Sequence, residues 1–541
     1  MFVDTRSEEN KVLKTDICIV GCGVAGITLA LEFERRGIAT IILESGGFES
    51  DEATRDLSRG ENVGLPYVFA DGCRDRFLGG SSNSWGGWNG PLQEHDMEQR
   101  HWVPESGWPF NRSTLEPYYQ AAYKILQMGG GGFDPSSWVA LIDRKDVRRI
   151  PLRPEIVRDA VTRFSTPSRL GVVYRDNLER ARHVRVYLYA NVVEIETDSL
   201  ARAVSRVHVK TLTGRSMRVE ARQFVLACGG IENARVLLAS TSTQPSGLGN
   251  QNDLVGRYFA DHPRLTLGSV KFSSQWERNK LYDLMFHYRN RVVSKGGQFV
   301  SGQFSIAPDI QEREGLLNAQ LWFKSVFPGD GTAAAEALIR MKRRLTAKIG
   351  LGFTAWGDMA LIARHPVNTM GFALARLLQP ASLIKDVRID IVCEPSPNRD
   401  SRVTLSNTRD QLGMPRVRVD WRLGEQVKHT IDRSLAIFAQ ELRVQGVAEV
   451  NLPEPLKGRE WPYIHATPWH HMGTWHHMGT TRMHDSPSQG VVDINCRVHG
   501  ISNLFVAGSS VFPTYGANYP TVNICALSLR LAEHLALAGH T

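Results

Sequence analysis

The chain has 541 residues, 42% hydrophobic and 22% charged, which excludes a disordered or fibrous class and points to a folded protein of more than one domain. Its 64 Lys and Arg outnumber its 56 Asp and Glu for a formal charge of +8, yet the cations are scattered, with one dense run at Arg340–Arg344, so no nucleic-acid partner is expected. Seven cysteines without CxxC or metal-ligand spacing, a start lacking a signal-peptide core, and no run of about 18 apolar residues point to a cytoplasmic protein without disulfides or bound metal.

The first clear element is the apolar run Asp16–Val20, a buried strand that leads into GCGVAG and then a helix with Val24, Ile27 and Leu31 on one face. A second strand, TIIL, closes on Glu44 and completes a βαβ unit. Gly21 permits the tight turn, Gly23 lets backbone amides approach a pyrophosphate, and Gly26 lets helix and strand pack closely. A GxGxxG alone is a weak signal, and its bland reading is a turn without ligand. The strand, the helix and the acid at the second strand's end make it a dinucleotide fingerprint. Glu44 is then expected on a ribose hydroxyl, with Val24, Ala25 and Ser45 beside the same ligand.

From Arg76 the chain reads RFLGGSSNSWGGWNG, too rich in Gly, Ser and Trp for a regular element. Gly79, Gly80, Ser81, Ser82, Ser84, Trp85 and Gly86 can lay amides and small side chains against a flat ring, whereas a solvated linker would expose Trp85 and Trp88. Farther on, VRVYLYANVVEIETD reads as a strand that brings Val192 and Val193 to the cofactor. Arg222–Ser240 repeats strand, glycine turn and helix, adding Ala227, Cys228, Gly229 and Asn233.

After His262 the alternating runs LTLGSVKF, GGQFVSGQFSIA and NAQLWFKSVF predict an antiparallel sheet in a separate α+β domain. The apolar stretch from Gly350 to Ile384 is broken by Asp358, Arg364, His365 and Pro366. It is read as a buried helical pair, with a peripheral lid or membrane-surface patch at 350–384 as the alternative. Near the end, an apolar strand meets a Gly508–Ser509 turn, and a last helix is expected with Pro520 at its first position and Ile524, Leu527, Leu531 and Leu535 as its apolar stripe. A tandem repeat, WHHMGT at Trp469–Thr474 and again at Trp475–Thr480, has no longer period around it. The fold class is therefore α/β: a Rossmann-type domain from 12–98, 190–262 and 488–541, interleaved with an α+β substrate domain from 99–189 and 263–487.

Together these pieces resemble the glucose-methanol-choline (GMC) family of FAD oxidoreductases, and look closest to its pyranose oxidase-like, sugar-oxidising members. The resemblance rests on GCGVAG with Glu44, FLGGSSNSWGG, NDLVGRYFADHP (252–263), EPSPNRDSRVTLS (394–406), HHMGTTRM (476–483) and NLFVAGSSVFPTYGANYPT (503–521). Only about 265–385 is generic, as expected of a substrate-specific part. The resemblance implies oxidation of a CH–OH group of a sugar, glycoside, aminocyclitol or polyol, with hydride passing to flavin N5 and electrons going on to oxygen or another acceptor. It gives His476 the role of base, since imidazole titrates near neutral pH; the residue-level alternative is a packed polar or metal-binding histidine. His470 and His471 lie six residues out of register. Pro520 and Thr521 would start a helix whose dipole faces the flavin. Ser84 stands where the family's pyranose oxidases carry an attachment histidine, so the FAD is expected to be non-covalent. The family's second polar group, an Asn before Pro-Thr, falls on Tyr519 without gaps and on Asn518 with one residue of slack; Asn518 is favoured, with Tyr519 packing away. Rival readings are a flavin-binding protein without alcohol-oxidising activity and a flavin- or NAD(P)-linked dehydrogenase of another family.

Overall fold

In the computed structural model, which describes residues 1–8, 11–67, 73–165, 168–277, 279–285, 298–346, 353–378, 381–461 and 473–538, two sheets meet around one cavity. The larger sheet is built on Val12–Val20, whose Ile17–Val20 end is buried on both faces. This strand runs parallel to Thr40–Leu43 on one side, with Val20 opposite Leu43, and to Ser216–Leu226 on the other, with Val20 opposite Leu226. Val184–Leu188 and Phe2–Asp4 extend the first side. Leu504–Val506 pairs parallel with Phe224–Leu226, and Val204–Lys210 and Asn191–Thr197 continue the sheet antiparallel. Four parallel strands thus end together at Val20, Leu43, Leu226 and Val506, and ligands of open α/β sheets bind at such an edge. Helices Val24–Arg36 and Thr521–Ala538 share the core below it, through Ile27 and Phe33 of one and Leu527, Leu531 and Leu535 of the other.

The second sheet is antiparallel, in the order Arg264–Leu267, Asp386–Cys393, Ala319–Val326, Phe299–Ile306, Val157–Phe164, Trp88–Asn89. Helix Glu425–Val444 packs on it, with Phe438 stacked near Phe304 and Phe323. The alternating runs after His262 thus form the expected antiparallel sheet. One piece leaves it: Gly268, at φ +66°, turns Ser269–Phe272 away to pair with Ala448–Asn451.

Two expectations need correction. VRVYLYANVVEIETD is not one strand but two, Val184–Leu188 and Asn191–Thr197, on opposite sides of the larger sheet. The switch is Tyr189 at φ +59°, whose ring lies 3.6 Å from the Arg6 guanidinium. The other concerns helices Phe353–Arg364 and Pro366–Leu378, which are covered on one face only. Ala355, Asp358, Thr369, Phe372 and Ala375 point inward, and the opposite face is exposed. Among the described residues no helix is long and apolar enough to cross a membrane.

Candidate active site

The carboxyl edge of the parallel strands opens into a cavity of about 1220 Å³ that continues over the second sheet. That exceeds the ordinary range for one small ligand and accommodates a dinucleotide with a substrate beside it.

The dinucleotide end is shaped by missing side chains. Gly21 sits at φ +101°, and a Cβ there would lie 2.7 Å from the Ala227 carbonyl oxygen; a Cβ on Gly26 would lie 2.0 Å from the Gly21 oxygen. Around Gly23 the closest atom to a Cβ would be Gly80 Cα at 3.8 Å, and Gly229 and Gly508 have nothing within 4 Å. Gly21 and Gly26 therefore close the turn, while Gly23, Gly229 and Gly508 keep the cavity wall bare. Helix Val24–Arg36 starts there without a side-chain cap, leaving its first amides to an anion. Glu44 accepts from Cys22 N (2.8 Å, Oε2) and Gly46 N (3.1 Å, Oε1); burial pushes its carboxyl up against the pull of these amides. These features fit the ADP part of FAD.

Of the expected contacts, Val24, Ala25, Ser45, Gly80, Ser81, Ser82, Ser84, Trp85, Gly86, Val192, Ala227, Cys228, Ser509, Pro520 and Thr521 also line the cavity. Gly26, Gly79, Val193 and Asn233 stand behind its wall. A Cβ on Gly79 would lie 2.7 Å from Gly171 N, and Val193 packs against the core. Asn233, fully buried, accepts from Cys228 N (2.8 Å) and donates to Ala507 O (3.2 Å) and Ser510 Oγ (3.0 Å), lacing the second glycine turn to the last strand. Pro520 precedes the helix rather than opening it, its carbonyl accepting from Ile524 N at 2.9 Å. Sequence reasoning missed Arg74, Arg76 and Glu232, which line the same end. Arg76 donates to Ser45 Oγ (2.9 Å); burial would raise Glu232, but Arg235, Arg76 and Arg74 outweigh it and hold the carboxyl at about 2.

The other end is organised by His476, whose copy of the repeat faces the cavity; His470 and His471 lie outside the described residues. Its ring Nδ1 is 2.9 Å from His262 Nδ1 and 2.9 Å from Thr474 Oγ1. Two chains of bonds fix where the proton sits. His262 Nε2 lies 2.8 Å from Gly516 O, which can only accept, so the neutral His262 has its proton on Nε2 and a lone pair on Nδ1. Thr474 donates its hydroxyl proton to Asp261 Oδ1 (2.8 Å) and can only accept from His476. Both neighbours require a proton on His476 Nδ1, which leaves Nε2, on the other edge of the ring, unprotonated. Burial first, and then His262, pushes His476 down to about 3, so the imidazole is neutral throughout the ordinary pH range.

Asp261 anchors this arrangement. Fully buried, it accepts from the amides of Thr474 (3.2 Å), Trp475 (2.8 Å) and His476 (2.8 Å) and from the Tyr67 hydroxyl (2.6 Å). Burial would raise its carboxyl, yet it is held below the usual range, and the Tyr67 hydroxyl and the His476 amide that it binds favour the anion. Neither Asp261 nor His262 was assigned a role from sequence, although both lie in NDLVGRYFADHP.

The Asn518–Tyr519 pair is turned the opposite way from the expectation. Asn518 is buried behind the wall, where its Oδ1 accepts from Gln320 Nε2 and its Nδ2 donates to Pro91 O at 3.2 Å. Tyr519 lines the cavity, with its ring 4.9 Å from Trp88 and edge-on to His476 at 5.5 Å and 86°. Neighbours in an extended stretch point oppositely, and the backbone at Pro91 takes the carboxamide while the aromatic wall takes the phenol.

Beyond His476 the lining turns polar. Buried Asp390 accepts from Arg264 Nε (2.6 Å) and Thr266 Oγ1 (3.1 Å), and Lys324 Nζ lies 3.5 Å away. Burial would raise this carboxyl, but Arg264 and Lys324 outweigh it and hold it below the usual range.

Comparison with known proteins agrees in direction with this geometry. Residues 397–528 match the family described as GMC oxidoreductase, in its C-terminal part. The chain is 23% identical to 6'''-hydroxyparomomycin C oxidase of Streptomyces lividus over 585 residues, covering 96% of this chain and 92% of the relative. It is 23% identical to 2-methyl-1,2-propanediol dehydrogenase of Mycolicibacterium austroafricanum over 597 residues, covering 97% and 95%. Among solved structures, a formate oxidase variant of Aspergillus oryzae RIB40 superposes with a TM-score of 0.53 at 18% identity, covering 99% of both chains, which shows a shared fold.

Proposed function

Taking the chain as the GMC-type, FAD-dependent oxidoreductase acting on CH–OH donors that it is, we propose that His476 accepts the substrate's hydroxyl proton and that the alcohol belongs to a sugar, glycoside, aminocyclitol or polyol. The observation that carries the base assignment is the doubly enforced tautomer: His262 and Thr474 both hold the His476 proton on Nδ1. FAD, when bound, would accept the hydride that leaves the carbon bearing that hydroxyl. As the hydroxyl proton moves to Nε2, ionised Asp261 offsets the imidazolium charge through the amide and the Thr474 hydroxyl it binds. The tautomer needs no rearrangement, because the new proton arrives on the nitrogen that was vacant.

The Gly21–Gly26 turn, the bare glycines and Glu44 would hold the adenosine diphosphate. Pro520 and Thr521 present the start of an 18-residue helix to the ring end, where its dipole favours negative charge. Ser84 offers a hydroxyl where an attachment histidine would stand, so the cofactor is held without a covalent bond and acid precipitation releases it. Arg264, Thr266, Lys324 and Asp390 support a substrate with several hydroxyls, since they present both donors and an acceptor. Two full-length relatives are named for a hydroxylated aminoglycoside and a diol, which fits the same class.

An anaerobic screen tests this reading: the yellow holoenzyme is mixed with sugars, aminoglycosides, diols and simple monohydric alcohols, and bleaching of the flavin is followed. Polyhydroxylated compounds should bleach it fastest. Bleaching by monohydric alcohols alone would overturn the substrate class.

A further inference from the structure

Helices Phe353–Arg364 and Pro366–Leu378 carry the largest concentration of exposed apolar side chains in the described structure. Of 17 exposed large hydrophobic residues among the described residues, seven fall between 356 and 383: Trp356, Val367, Met370, Leu374, Leu377, Leu378 and Leu383. Val367, Met370, Leu374, Leu377 and Leu378 follow an i, i+3, i+7, i+10, i+11 spacing and so form one stripe along the second helix. Val367 is 81% exposed and Leu377 71%. Large exposed apolar stripes mark binding surfaces.

Charge identifies the partner. Between 340 and 385 the chain has eight Lys and Arg, and its one acid, Asp358, is turned inward and bound by Arg340 at 2.6 Å. The exposed face is therefore apolar, with an indole among its side chains, and is flanked by cations such as Arg364 at the turn and Lys385 beyond the second helix. A second copy of this chain would bring like charges together. A folded protein partner would need directional polar contacts, and among its described side chains the exposed face of the second helix offers only Asn368. At 12 and 13 residues, the helices are too short to span a bilayer but suited to lie in its interface.

We propose that this helical pair docks in the plane of an anionic lipid surface. The inner side of the second helix, through Phe372, lines the cavity that holds His476, so docking places that end of the cavity at the lipid. The expectation that this stretch is a buried pair thus gives way to its alternative, a membrane-surface patch.

The test is sedimentation of the full-length holoenzyme with vesicles of phosphatidylglycerol and phosphatidylcholine, compared with phosphatidylcholine alone. Wild-type protein should pellet with the anionic vesicles, and less so at high salt. The triple variant Val367→Glu, Leu374→Glu, Leu377→Glu should lower partition at least about 100-fold, because each residue contributes an exposed apolar side chain to the interface. Arg364→Glu and Lys385→Glu should each lower it about fivefold on anionic vesicles. FAD content should be unchanged in every variant, which separates lost docking from lost fold. Wild-type protein remaining in the supernatant overturns the proposal, including when light scattering finds a dimer that the triple variant abolishes. Binding that the glutamate substitutions leave intact overturns it as well.

Discussion

At the dinucleotide end of the cavity the working surface is backbone: glycine turns at 21–26, 227–230 and 507–509 converge because three parallel strands end side by side. At the histidine end it is side chains from Asp261, His262, Thr474, His476 and Tyr519, joined by hydrogen bonds and ring contacts across more than 200 residues of sequence. A backbone site is tolerant of what surrounds it and intolerant at a few glycines. A side-chain site depends on which proton sits where, so substitutions that leave the fold intact can still change its chemistry.

The largest effects should come from the glycines. Gly26→Ala drives a Cβ into the Gly21 carbonyl oxygen and should both lower thermal stability, by at least about 1–3 kcal/mol, and abolish FAD retention. Gly23→Ala has room for its methyl group and should fold with near-normal stability while losing flavin absorbance. If both variants keep their yellow colour, the backbone cradle does not hold the cofactor.

Next in size is Asp261→Asn, which removes the anion at the centre of the histidine loop. The variant should stay yellow and reduce its flavin roughly 10–100-fold more slowly, the lower part of what positioned proton transfer contributes. An unchanged rate would mean that the buried carboxylate serves packing alone. Smaller effects should separate Asn518 from Tyr519. Asn518→Ala leaves the buried Gln320 amide without its Asn518 partner, removes one of the two bonds to the Pro91 carbonyl, and should cost about 1–3 kcal/mol of stability at a near-normal rate of flavin reduction. Tyr519→Ala should show the reverse pattern.

This last pair also shows where sequence stops being informative. Strand, glycine turn, helix and terminal acid follow local rules, so the parallel core, Glu44 and the three glycine turns were legible one residue at a time. Which of Asn518 and Tyr519 faces the cavity is decided by partners 198 and 427 residues away in the chain, Gln320 and Pro91. Asp261 and His262 were visible only as part of a motif, since a buried Asp-His pair has no local signature. The helical pair at 353–378 misled for a different reason: an apolar stripe reads alike whether it faces a protein core or lies exposed.

The smallest expected effect is the absence of one. Because burial and His262 hold His476 as the free base down to about pH 3, the rate of flavin reduction should be level between pH 5 and 8. An ordinary imidazole would lose activity as pH falls through about 6.5. An inflection there that disappears in His476→Ala would show that His476 titrates normally.

The base assignment is tested most directly by anaerobic stopped-flow reduction of the flavin, with a bleaching substrate, in wild-type protein and in His476→Ala. The variant should retain FAD and slow reduction by about two to four orders of magnitude, the worth of a positioned base. A yellow His476→Ala protein that bleaches at the wild-type rate would contradict the assignment of His476 Nε2 as the proton acceptor.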